Sequence, residues 1–230
     1  MERIYPRTLL AASWAALVLA MLAMAVGHTG APDLNWLANQ ISTYAATAPN
    51  RAWITAGMVL PCVAIACLSV LVSRHGLLGE SPPAHAVPLL AGGVISGLLT
   101  LAVFRETARS YVMLKGAGLD AIRQQSFHDA GLMIFFYSAI LLAVLSGMLV
   151  MAQARAWAGK VLGASVSLLG LAAFPLMAAP WPQLLGITGA VHGLMQRASL
   201  FSLWLATALV LAAATSNLLR PSQGASDPGH

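Results

Sequence analysis

Six apolar stretches dominate this chain, each near the ~20 residues a helix needs to cross the hydrocarbon core of a bilayer. They run Leu9–Gly27, Ala52–Ser73, Val87–Phe104, Asp129–Ala152, Val161–Ala179 and Ala198–Leu219. In lipid a backbone must satisfy its own N–H and C=O groups, and segments of this length do so as α-helices. The expected fold class is therefore all-α: a polytopic transmembrane bundle of six helices forming one domain over residues 1–219. Pro61 and Pro175 fall inside two of the stretches and predict kinks rather than breaks. Residues 220–230 are polar and rich in Pro, Gly and Ser, which predicts a disordered cytoplasmic tail.

Composition points the same way. Hydrophobic residues make up 59% of the chain and charged residues 8%. Soluble domains carry about 25% charged residues. So few charges cannot cover the surface of a water-soluble fold of this length, so the expected solvent is lipid. The net charge is +5, from 12 Lys and Arg against 7 Asp and Glu. No Lys/Arg run and no interleaved aromatic pattern accompanies it, which argues against a nucleic-acid partner. The basic excess belongs instead to loops, where it orients membrane helices.

Counting Lys and Arg on the two sides gives equal numbers, so orientation rests on loop chemistry. The short connections Arg74–Ala86 and Gln153–Lys160 read as cytoplasmic turns, and the long ones, His28–Asn50 and Arg105–Phe127, as outer loops. Both termini are then expected in the cytoplasm. Arg3 and Arg7 before the first apolar run resemble a signal-peptide start, but the run exceeds a signal's ~7–15 apolar residues and is expected to be retained. Cys62 and Cys67 would point about 140° apart on one helix at ~100° per residue, which disfavours a disulfide between them.

Ionisable groups at the edge of a membrane span are expensive to bury and are the natural functional candidates. Three groups stand out at the expected outer side. Ser126, His128 and Asp129 open the fourth span, with Ser126 placed as an N-cap and Asp129 favoured by the helix dipole. Before the sixth span, His192, Gln196 and Ser199 fall at i, i+4 and i+7 on one helix face, with Arg197 beside them. Gly189 and Gly193 add a small-residue step that suits close helix packing. In the first outer loop, Leu34, Leu37, Ala38 and Ile41 fit a short amphipathic helix, with Trp36 as an interfacial anchor. Arg105 and Glu106 end the third span. Each group also has a bland reading: a capped helix start, a buried interhelical network and a shielding interfacial helix.

Several of these segments resemble the DUF998 family of bacterial membrane proteins. Ile41-Ser42, Ala48-Pro49, Trp53 and Gly57 look like that family's first outer loop and second helix. Phe127-His128-Asp129-Ala130-Gly131 running into Phe135-Phe136 is similar to its fourth-helix start, and Gly193-Leu194-Met195-Gln196-Arg197 leading to Trp204 to its sixth. The chain departs from the pattern at Phe104-Arg105-Glu106-Thr107, where the family often shows a Phe-Pro-x-Asp-like end. The resemblance implies a six-helix bundle in a bacterial cytoplasmic membrane and implies no activity. A more distant likeness to DRAM-type membrane proteins, which are associated with lipid organisation, is an analogy of fold.

Three functions compete on these residues. The first is non-catalytic binding of a membrane lipid or small amphiphile in an outer-face cup of His128, Asp129, His192, Gln196 and Arg197, with Arg197 and Arg105 as forked partners for an anionic headgroup. The second is b-type haem electron transfer, with His128 and His192 as axial ligands. The third is lipid-modifying catalysis, with His128 as general base beside Asp129 or Glu106. No three-residue metal set is apparent. His28, His75 and His85 are read as loop residues without a role.

Overall fold

The computed structural model describes residues 4–31, 34–35, 41–78, 81–104, 118–178 and 192–219. The described chain is helical. Its elements are α1 (Ile4–Gly27), α2 (Ile41–Thr47), α3 (Arg51–His75), a 3-10 turn (Pro82–His85), α4 (Ala86–Val103), α5 (Leu119–Gln153), α6 (Trp157–Ala178) and α7 (His192–Leu219). Six of these helices are long and apolar enough to cross a membrane, with mean hydropathy between 1.4 and 2.3 in their most apolar windows. The chain is thus a multi-pass membrane protein. Its six spanning helices match the six apolar stretches one for one.

Each spanning helix packs on the next in sequence, α1 on α3, α3 on α4, α4 on α5, α5 on α6 and α6 on α7, and α7 closes back onto α1 and also touches α5. The result is a ring of helices around a core that includes Leu71, Val87, Val94, Val166 and Leu211. Large side chains such as Leu19, Leu89, Met148 and Leu168 are exposed, as a lipid-facing surface requires. Gly97 lets α4 and α5 approach closely: a Cβ there would meet the backbone of Phe135. Gly57 plays the same part between α3 and α1, where a Cβ would lie 3.2 Å from the Ala20 carbonyl oxygen and the Met24 nitrogen.

α5 begins ten residues before the expected fourth span, at Leu119 rather than Asp129. At ~1.5 Å per residue, the 35 residues of α5 extend about 52 Å, far beyond the ~30 Å hydrocarbon core. The polar stretch Leu119–Phe127, expected as loop, is its first part. Ser126 is therefore not an N-cap: it lies inside the helix, and its hydroxyl donates to the carbonyl of Ile122 at 2.9 Å. Gly118 occupies the capping position. Polar residues extend a helix past the bilayer without interrupting its hydrogen bonds, and hydropathy cannot register that extension. The amphipathic helix expected over Leu34–Ile41 falls mostly on residues 36–40, which lie outside the described set, as do Arg105, Glu106, Gly189 and the tail; the described loop helix, α2, begins only at Ile41.

Candidate functional site

α1 ends at Gly27, and His28 follows directly. The last carbonyls of a helix lack intrahelical partners. Here the Met24 carbonyl accepts from the backbone N–H of His28 at 3.2 Å and from its Nδ1–H at 2.7 Å, and the Val26 carbonyl accepts from the backbone N–H of Thr29 at 3.0 Å and from its Oγ1 at 2.7 Å. The imidazole is thus anchored over the end of its own helix. Its other nitrogen, Nε2, accepts from the Nε–H of Arg197 on α7 at 3.3 Å. Both ring nitrogens are satisfied by one neutral tautomer.

Tyr44 of α2 completes the cluster. Its ring centroid lies 4.6 Å from that of His28, and the Arg197 guanidinium sits 5.1 Å from the Tyr44 ring centre. A cation over an aromatic face contributes roughly 0.5–2 kcal/mol, depending on how dry the site is. The Tyr44 hydroxyl donates to the Leu34 carbonyl at 2.9 Å, and the ring is 2% exposed, so the cluster is a built one. His28 lies past the spanning segment. Burial holds its pKa below the ordinary 6.5, the Met24 carbonyl works against that shift, and the Arg197 charge adds to it.

Gln196, adjacent to Arg197, fastens α2 to the bundle. Its Oε1 accepts from the Ile41 N–H at 2.6 Å, and the side chain is buried. That N–H opens α2 and would otherwise be an orphan donor. Ser199, the next member of the expected polar stripe, donates from its buried hydroxyl to the Ala173 carbonyl of α6 at 2.9 Å. Gln196 and Ser199 therefore bond the backbones of two different neighbours rather than each other. The side chain of His192 lies outside the described residues.

His128 and Asp129 do not join this cluster. His128 is 4% exposed, and its Nδ1–H donates to the Phe104 carbonyl at 2.8 Å, holding the last turn of α4. The rings of Phe104 and Phe127 stack at 4.7 Å beside it. Asp129 is exposed and accepts from Gln125 Nε2 at 2.8 Å, one turn back on its own helix. Among the described residues, a backbone carbonyl orients His128. His128 shares with Gln196 a small cavity of about 30 Å³.

A larger opening lies beside Arg197. A groove of about 380 Å³ runs between α1 and α7. Met21, Met24 and Ala25 of α1 and His28 just past its end line one side, and Arg197, Leu200, Phe201 and Trp204 of α7 the other. Both sets fall at i, i+3, i+4 and i+7, so each is one continuous helical stripe. Toward the opposite end the two helices are joined, with Trp14 Nε1 donating to Thr215 Oγ1 at 3.3 Å. Arg197 is the one charged side chain among the described residues lining the groove. Arg197 and Gln196 are site candidates from the sequence, whereas His28, expected to be a loop residue without a role, lines the groove. The signal that identifies His28 is its spacing from Met21, Met24 and Ala25, matched by the α7 stripe.

A family model described as "Protein of unknown function (DUF998)" matches residues 14–213, and the chain belongs to that family. No curated protein matches the chain, and no solved structure does.

Proposed function

We propose that this DUF998 protein binds an anionic amphiphile non-catalytically, with the headgroup at Arg197 and the hydrocarbon chain along the groove between α1 and α7. The observation that carries this reading is the polarity of the groove. Its charged and imidazole groups lie at one end, and its remaining walls are methionine, leucine, isoleucine, alanine and aromatic side chains. An anionic head over an apolar chain matches that gradient, and the guanidinium fork suits a carboxylate or a phosphate. Neutral His28 leaves the positive charge at Arg197 and turns no donor of its own toward the head. Methionine walls adapt to chains of irregular shape. The helix α2, held by Gln196, lies over the same end.

In the orientation favoured by the loop chemistry, this end faces outward and the ligand comes from the outer leaflet of the bacterial cytoplasmic membrane. Labelling of a cysteine placed at Thr29 by an impermeant reagent in intact cells tests that orientation.

The binding test uses purified full-length protein in nanodiscs of a zwitterionic lipid. Palmitate and lysophosphatidic acid supply a carboxylate and a phosphate head, and palmitoyl-choline supplies a cationic one. Both anionic ligands should bind, palmitoyl-choline should not, and Arg197→Ala should weaken the anionic ligands at least about tenfold, or ~1.4 kcal/mol. Equal binding of all three heads, or full affinity in Arg197→Ala, would sink the reading.

A further inference from the structure

Below the headgroup cluster the bundle contains two more voids. One is the cavity of about 30 Å³ beside His128 and Gln196, and the other, of about 40 Å³, lies deeper among residues including Leu98, Phe135 and Ser146. A single water needs roughly 10–15 Å³, so each has room for a few waters and neither holds a hydrocarbon chain as it stands. They are nevertheless neighbours. Pro61, Leu98 and Phe135 border both, while Met24, Ile41 and Leu200 border both the upper cavity and the lateral groove. One side chain, Trp204, lines all three spaces. It is half-buried, and it lies on the Arg197 stripe, about 10.5 Å along α7 at ~1.5 Å per residue.

We infer that Trp204 is the floor of the groove and sets the thickness of the chain the groove accepts, admitting straight chains and rejecting branched ones. This rests on the anionic-amphiphile reading above. The indole is a large, flat side chain that separates the lipid-side groove from the bundle axis. A straight chain packs along its outer face and needs no space behind it. A methyl-branched chain is wider and needs the volume the indole occupies. Interiors pack close to crystal density, so a wall of this kind does not yield gradually. Removing the indole joins the groove to the two cavities and supplies depth where the branches would lie. Leu98 borders both cavities, so a larger side chain there refills the space from behind.

The test compares palmitate with phytanate, its methyl-branched relative, on full-length protein in nanodiscs. Wild type should bind palmitate and discriminate against phytanate at least about tenfold, which is ~1.4 kcal/mol. Trp204→Ala should abolish that discrimination by strengthening phytanate, and Trp204→Phe should fall between. Adding Leu98→Phe to Trp204→Ala should restore it, an outcome a merely loosened bundle would not give. If wild type binds palmitate through Arg197 yet the Trp204 variants keep the wild-type preference, the floor assignment is wrong and the headgroup site stands. If wild type binds neither acid, both fail together. Trp204→Phe carries the test should Trp204→Ala not purify as a monodisperse species, because it keeps an aromatic wall.

Discussion

Arg197 donates from Nε to Nε2 of His28 across 3.3 Å, and that one contact dictates the tautomer of the imidazole. Nε2 must be bare to accept, so Nδ1 carries the proton that it gives to the Met24 carbonyl. A second proton on the ring would set two donors and two positive charges against each other beside Tyr44. The contact also ties the end of α1 to the start of α7, where the groove opens.

The first prediction concerns pH. The pKa of His28 is held below its ordinary 6.5 in the folded protein. Between that lowered value and 6.5, the unfolded chain binds more protons than the folded one, so stability rises with pH there. The contribution is fully present above 6.5 and is lost as pH falls through the window toward the folded pKa. The thermal midpoint of wild type should therefore drop from neutral pH to about pH 5 more steeply than that of His28→Gln, which cannot titrate. Parallel curves for the two proteins would show that His28 is not held as a neutral base.

The second prediction concerns the hold on α2. Replacing Gln196 with Leu keeps the volume but leaves the Ile41 N–H, buried beneath α2, without its acceptor. A buried donor stripped of its partner costs about 1–3 kcal/mol. The cost should appear locally, as faster amide exchange across Ile41–Thr47 with little change in the middle of α3 and α4. Unchanged exchange in that segment would mean that the apolar contacts of Ile41, Tyr44 and Ala45 hold α2 by themselves.

The third prediction separates His128 from the headgroup cluster. His128→Leu removes the donor to the Phe104 carbonyl and should lower unfolding stability by roughly 1–3 kcal/mol. Palmitate affinity should not change, because His128 lines the small inner cavity and not the groove. A His128→Leu protein of normal stability that no longer binds palmitate would return His128 to the binding site.

Much of the architecture is legible from residue type alone. Gly93 and Gly97 announce a close approach, and they face Ser138 and Phe135 of α5. The stripe of Gln196 and Ser199 announces buried hydrogen bonds, and both form. The composition of the candidate site was harder to read. His128 and Asp129 are consecutive, so about 100° of helical rotation separates them, and one is buried while the other faces out. His28 looked inert because it lies just past an apolar run, the place where an ordinary loop begins.

The number of spans, their order and the all-helical class follow from the sequence by itself, because lipid leaves a backbone no other way to satisfy its polar groups along segments of this length. Which polar residue meets which was decided only by the tertiary structure. Two groups that meet Arg197, His28 just past the end of α1 and Tyr44 of α2, are distant from it in the chain. Their meeting depends on α7 closing the ring against α1 while α2 folds over the end. Hydropathy has a period along one helix and carries no record of how that helix is turned toward its neighbours.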